Sequence, residues 1–119
     1  MNESMLEKLK EAGVDTEGAL RRFVGNAKLY CQFLSDFPND ENFSLILPAL
    51  EKQDFEGALT AVHTLKGVSG NLGLNRLFEA SSNMVALIRA GEHDKAAASY
   101  GEVKRAYEDI CACIKSLGD

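Results

Sequence analysis

An imidazole at His63, an ammonium at Lys66 and glycines at 67, 70 and 73 fall within one helical stretch of the chain. Glycine inside a helix costs about 0.5–1 kcal/mol relative to alanine, so Gly67 and Gly70 call for a reason. Room beside His63 for something bulky is such a reason. Imidazole in water has a pKa near 6.5, so a solvated histidine is mostly neutral near pH 7 and has a free lone pair. That lone pair can attack phosphorus, and Lys66 can serve as a point charge for the arriving phosphate. The spacing alone also fits a plain surface histidine beside two tolerated glycines.

The elements that must position this run are helices. Ser4 and Glu7 have the spacing of a capping box for a first helix, which Gly13 ends. Asp15 is the expected cap of a second helix carrying Ala19, Leu20, Phe23 and Val24, stopped at Gly25 and Asn26. A third takes Leu29, Tyr30, Phe33 and Leu34 toward Phe37, with Tyr30, Phe33 and Phe37 expected in the core. Asn39 or Asp40 restarts a helix through Leu50, and Pro48 should kink it near Ser44. Asp54 is the expected cap of the His63 helix. After Gly73 comes a helix from Leu74 to Gly91, and Asp94 is the expected cap of a last one. No period-2 alternation of any length is present.

This pattern predicts an all-α fold: an antiparallel up-down four-helix bundle with a short N-terminal helical extension. The expected division is one unit over 1–119, with an N-terminal lid over 1–37 and the main bundle over 39–117. On the His63 helix, the stripe of Phe55, Ala58, Val62 and Ser69 centres near Val62 at about 100° per residue. His63 falls roughly 100° from that centre, Gly67 about 40° further out and Gly70 about 20° nearer. Lys66 lies on the flank, able to bury its stem and turn its ammonium toward the imidazole.

Composition removes other classes. The chain has 119 residues, 13 basic against 18 acidic, and a net charge of −5, so a nucleic-acid binder is not expected. No stretch reaches membrane-spanning length, and residues 1–10 are too charged for a signal peptide. Three cysteines, Cys31, Cys111 and Cys113, suit reduced thiols in a cytoplasm. Cys111 and Cys113 point to different helix faces and make a poor metal pair. No carboxylate cluster has metal-ligand character, and no GxxxxGK[ST] loop is present to hold ATP. No metal, cofactor or autokinase activity is therefore expected in this chain.

The run His63-x-Leu65-Lys66-Gly67-x-Ser69-x-x-x-Gly73 resembles the signature of histidine-containing phosphotransfer (HPt) domains of bacterial two-component phosphorelays. The likeness extends to Gly13-Val14-Asp15, Ala19-Leu20-x-Arg22-Phe23-x-Gly25-Asn26, Asp54 and Leu87-Ile88-Arg89-x-Gly91. It implies that His63 is the phosphoacceptor, through Nε2, and that Lys66 neutralises the phosphate. Gly67 and Gly70 would clear space for the partner, and Ser69 would be the small residue between helices. Family members often carry Gln or Glu near the histidine on the next helix. Gap-free counting puts Val85 there, with Ser81 and Ser82 one turn back, so a serine or a water would have to orient the ring. In some relatives the domain terminates a larger sensor kinase.

The function so implied is a shuttle between aspartates of response-regulator receiver domains, which would hold the Mg²⁺, with a hybrid sensor histidine kinase as a further partner. The expected docking face takes in Thr60, Thr64, Lys66, Gly67, Gly70 and Asn71. A monomer is expected, since no sustained heptad seam runs through the sequence. Three rivals stand beside this reading. A dimeric kinase hairpin usually has Glu or Asp after its histidine, where Thr64 stands here. A metal-binding bundle needs several inward His or Glu residues, whereas the second histidine, His93, falls in a turn after Gly91 and is expected in solvent. A helical adaptor without chemistry is the alternative from another class.

Overall fold

The computed structural model describes residues 3–117, so the ends of the expected 1–119 unit lie outside the described residues. Among the described residues eight α-helices follow in order: α1 Glu3–Glu11, α2 Thr16–Arg22, α3 Ala27–Asp36, α4 Asn42–Glu51, α5 Phe55–Leu72, α6 Asn75–Arg89, α7 His93–Ala98 and α8 Tyr100–Leu117. A 3-10 turn over Phe37–Asn39 joins α3 to α4. Three side chains start helices as their types require. The carboxylates of Asp15 and Asp54 accept the amides of Gly18 and Gly57 at 3.0 and 2.9 Å, and Asn26 accepts that of Leu29 at 3.0 Å. Gly13, Gly73 and Gly91 take positive φ where helices end.

The four main helices are α4, α5, α6 and α8, each antiparallel to the next along the chain, with α4 on α5, α5 on α6 and α6 on α8. Aromatic rings close the bundle between its first and last members. Phe43 stacks on Tyr107 and Tyr100 with centroids 4.0 and 5.9 Å apart, and Tyr107 donates to the Pro38 carbonyl at 3.2 Å. On α5 the inward face is Ala58, Ala61, Val62, Leu65, Ser69 and Leu72, all buried, which is the 3.6-residue stripe of the sequence. Tyr30, Leu34 and Phe37 join the same core, so α3 packs as a structural member and not as a cover laid over a finished bundle.

The C-terminal end of α5 is where the N-terminal segment takes hold. A helix leaves its last carbonyls without intrahelical partners. Here the carbonyls of Asn71, Leu72 and Gly73 accept from Arg22 Nε at 3.0 Å, Tyr30 Oη at 2.8 Å and the Asp15 amide at 2.9 Å. Gly73 has φ +76°, and a Cβ there would sit 2.5 Å from the Asp15 carbonyl oxygen. Both the turn and the close approach of two backbones require glycine at this position.

Several local expectations are corrected. Ser4 lies inside α1, which already includes Glu3, so it is not the cap. Val24 is outside α2, with φ +54° and a side chain 92% exposed. Phe33 is 49% exposed rather than core. The α4 helix starts at Asn42, whose amide bonds Asp40 at 2.8 Å, and it continues through Pro48 to Glu51. Asp94 sits within α7, whose first residue is His93, so His93 is helical and not in a turn. The last helix is broken at Ser99 into α7 and α8.

Burial raises the hydroxyls of Tyr30 and Tyr107 to about 12, and that of Tyr100 upward as well. The folded protein therefore holds these protons more tightly than the unfolded chain. Their contribution to stability is complete below pH 10 and is lost as pH rises toward about 12. Tyr30→Phe is expected to lower stability by about 1 kcal/mol at neutral pH, by leaving the Leu72 carbonyl unpaired. Its stability should also fall less steeply above pH 10, which urea unfolding at pH 7 and across the alkaline range measures.

Candidate functional site

A shallow groove open to solvent runs along the outer face of α5, lined by His63, Lys66, Gly67, Gly70 and Asn71 of that helix, Arg22 of α2 and Phe78 of α6. His63 is exposed, and among the described residues no protein group hydrogen-bonds its ring. Lys66 is half-buried, and its ammonium lies 5.9 Å from the centroid of the Phe78 ring. That contact suits a cation over an aromatic face. Among the described residues no carboxylate comes within ion-pairing distance of Lys66 or Arg22. An acidic chain thus holds two unpaired cations on one groove with its exposed imidazole. The arrangement suits a dianionic group that arrives from solvent at the imidazole.

The two glycines beside His63 do different work. A Cβ added to Gly67 meets nothing within 4 Å, so this position is bare floor. A Cβ at Gly70 would stand 3.2 Å from two ring carbons of Phe78. Gly70 is therefore spoken for by packing inside the molecule, and the open clearance belongs to Gly67. Both glycines are expected from the sequence to clear space for a partner; at Gly70 the Phe78 ring stands beside that space.

The structure gathers five of the residues singled out in the sequence, His63, Lys66, Gly67, Gly70 and Asn71, into one groove. Thr60 and Thr64 lie on the same exposed face but do not line it. Their hydroxyls donate back to the carbonyls of Glu56 and Thr60 at 3.1 and 3.0 Å. Val85 is 2% exposed, in the core. Ser81 and Ser82 have buried hydroxyls with no partner, so neither serine orients the His63 ring. His93 stacks on Phe55 at the start of α5, with centroids 3.9 Å apart, away from the groove.

Two groove residues escaped the sequence reading as site residues. Phe78 lies off the buried stripe of α6, and an aromatic outside its stripe was the available signal. Arg22 reaches the groove from α2, and nothing in local spacing points there. Among the described residues no group of three His, Cys, Asp or Glu side chains is placed to hold a metal ion. No helix of the described residues is long and apolar enough to cross a membrane.

Because Gly67 faces open space, Gly67→Ala should fold normally and gain about 0.5–1 kcal/mol from helix propensity. Gly70→Ala should gain less or lose stability, because the Phe78 ring has to move. Paired denaturant titrations of the two variants check the contrast.

Comparison with known families agrees with this geometry. The Hpt domain family model matches residues 28–113. No curated protein and no solved structure matches the chain significantly. The matched span begins in α3 and ends in α8, and it contains the His63 helix whole. Hpt domains are phosphotransfer carriers of phosphorelays, work with response regulators and kinases, and are not themselves kinases. A bundle of antiparallel helices presenting a solvated histidine, matched over the greater part of its length, makes this chain a member of the Hpt domain family.

Proposed function

We propose that the chain carries a phosphoryl group on His63 between the aspartates of two receiver domains. The observation that carries this reading is the exposed His63 ring on a groove with Lys66 and the uncovered backbone of Gly67. A receiver bearing an aspartyl phosphate settles on the groove, and the Nε2 lone pair of neutral His63 attacks phosphorus. The N–P bond forms as the P–O bond to the aspartyl carboxylate breaks, and the electron pair leaves with that carboxylate. The ring is cationic until Nδ1 gives its proton to water. In the second half Nδ1 takes a proton back from water, the aspartate of another receiver attacks phosphorus, and the electron pair of the N–P bond returns to Nε2, leaving neutral imidazole.

In this reading Lys66 offsets charge on the transferring group, whose own negative charge opposes the approach of the anionic aspartate that attacks it in the second half. Magnesium belongs to the receiver. The chain supplies the nucleophile and no ATP site, and its own phosphorylation depends on a partner. Residues 1–119 act as one cytoplasmic unit, working as a monomer, with a hybrid sensor histidine kinase as the upstream source. Thr60 and Thr64 belong to the rim that the partner covers, while Gly67 and Asn71 lie beneath it.

Incubation with a phosphorylated receiver should give an acid-labile, base-stable label on this chain and none on His63→Gln. Label persisting in His63→Gln removes His63 from its role. No label from any cognate receiver favours an adaptor without chemistry. Gly67→Gln should keep its helical circular dichroism and lose transfer, because the new side chain stands where the partner sits. Lys66→Ala should slow transfer about tenfold, the equivalent of one charge-assisted contact. Quenched-flow labelling measures both variants.

A further inference from the structure

We infer that the end of the groove away from His63, formed by Phe78 and Arg22, is a docking anchor for the receiver and sets the affinity of that contact. The inference rests on the receiver shuttle of the proposed function, and it names the partner chemistry that the groove selects. Two contacts give the groove its length. A Cβ on Gly70 would stand 3.2 Å from the Phe78 ring, and Arg22 Nε donates to the Asn71 carbonyl at 3.0 Å. At 1.5 Å of rise per residue, Gly70 and Asn71 lie about 10 and 12 Å beyond His63 along α5. A phosphoryl group on the imidazole does not span that distance, so the ring and the guanidinium serve something larger.

Both groups are open to a visitor. Phe78 is 36% exposed, and between it and His63 lies the bare floor at Gly67. Arg22 is exposed and held by its Nε alone, and among the described residues no carboxylate pairs with it. Aromatic rings and arginines are the side chains that interfaces favour as anchors. A transient signalling contact buries about 600 Å² on each partner, a disc about 14 Å in radius. Centred on His63, where the phosphorylated aspartate has to sit, that disc reaches the Asn71 carbonyl that holds Arg22. The family works with response regulators, and charge selects the face such a partner offers. The receiver that fits carries an apolar side chain to lie on Phe78 and a carboxylate to take the Nη groups of Arg22. Both stand about 10–12 Å from its phosphorylated aspartate, the spacing that the helix rise imposes. Arg22 also precedes residues 28–113, which the family model matches, so this half of the anchor comes from outside the matched span. That placement suits a contact that separates one partner from another.

The test uses the full chain and two phosphodonors, the receiver that labels it fastest and the small molecule phosphoramidate. Labelling is followed over a range of receiver concentrations, which separates half-saturation from the maximal rate. Arg22→Met and Phe78→Ala should each raise the half-saturating receiver concentration about tenfold, the cost of one interface anchor. The loss with the receiver should exceed the loss with phosphoramidate at least about fivefold. Added salt should raise half-saturation more for the parent than for Arg22→Met, because the variant has already lost the screened contact. A merely structural arginine would not change that salt dependence. Phe78→Leu keeps an apolar side chain against Gly70 and should recover part of the Phe78→Ala loss. Unfolding midpoints measured alongside show that each variant is folded.

Half-saturation within twofold of the parent removes that residue from the anchor, and for both residues it overturns the inference. An equal loss with both donors also overturns it, since the two side chains would then serve the fold or the chemistry and not docking. A parent protein that accepts from phosphoramidate at His63 but from no receiver sinks the shuttle and the anchor with it. Normal transfer by the parent beside unaffected variants sinks the anchor alone.

Discussion

Everything at the site depends on how the C-terminal end of α5 disposes of its last carbonyls. Within the helix, the Ser69 carbonyl takes the Leu74 amide and that of Gly70 takes the Gly73 amide. The next three, at Asn71, Leu72 and Gly73, are met by groups from α2, α3 and the residue that caps α2. A buried carbonyl left without a donor costs roughly 1–3 kcal/mol, so the buried Tyr30–Leu72 bond matters more as an obligation met than as an attraction gained. They also tie the N-terminal third of the chain to the one helix that carries His63. The result is a backbone held from three elements beneath the exposed His63 side chain, which the proposed role of that histidine as a nucleophile would need.

The same tie explains how an acidic protein presents a basic groove. The chain's acidic surplus is spread over its surface, while Lys66 and Arg22 converge from two helices with no carboxylate near enough to pair. Lys66 is steadied by an aromatic face and Arg22 by a carbonyl, neither of which cancels charge. Local sign therefore differs from net sign, and the local one governs what a dianionic group meets at short range, where salt screens least.

Much of this was legible in the sequence. The stripe of Ala58, Val62, Leu65 and Ser69 set which face of α5 is buried, and His63 stands on the opposite border as the 3.6-residue period demands. Asp15, Asn26 and Asp54 cap the helices they precede, because a short acceptor before an apolar repeat has few other uses. Where the reading failed, competing local signals decided. Ser4 and Asp94 have cap chemistry but are each the second residue of their helix, and helix ends shift by a residue or two for small energies. Phe33 and Val24 are apolar yet exposed, since their position is set by how α3 meets α2 and not by their type.

By itself the sequence determined the helical class, which face of α5 is buried, and that an imidazole, a cation and a glycine share one outer face. These follow from short-range geometry, the fixed rotation per residue and the preference of capping side chains. Only the tertiary structure decided that Phe78 occupies the space over Gly70, that Val85, Ser81 and Ser82 turn away from His63, and that Arg22 enters the groove. Those depend on which helices pack together and at what height. That is fixed by long-range closure of the core and by the unpaired carbonyls at the end of α5, which no local pattern encodes.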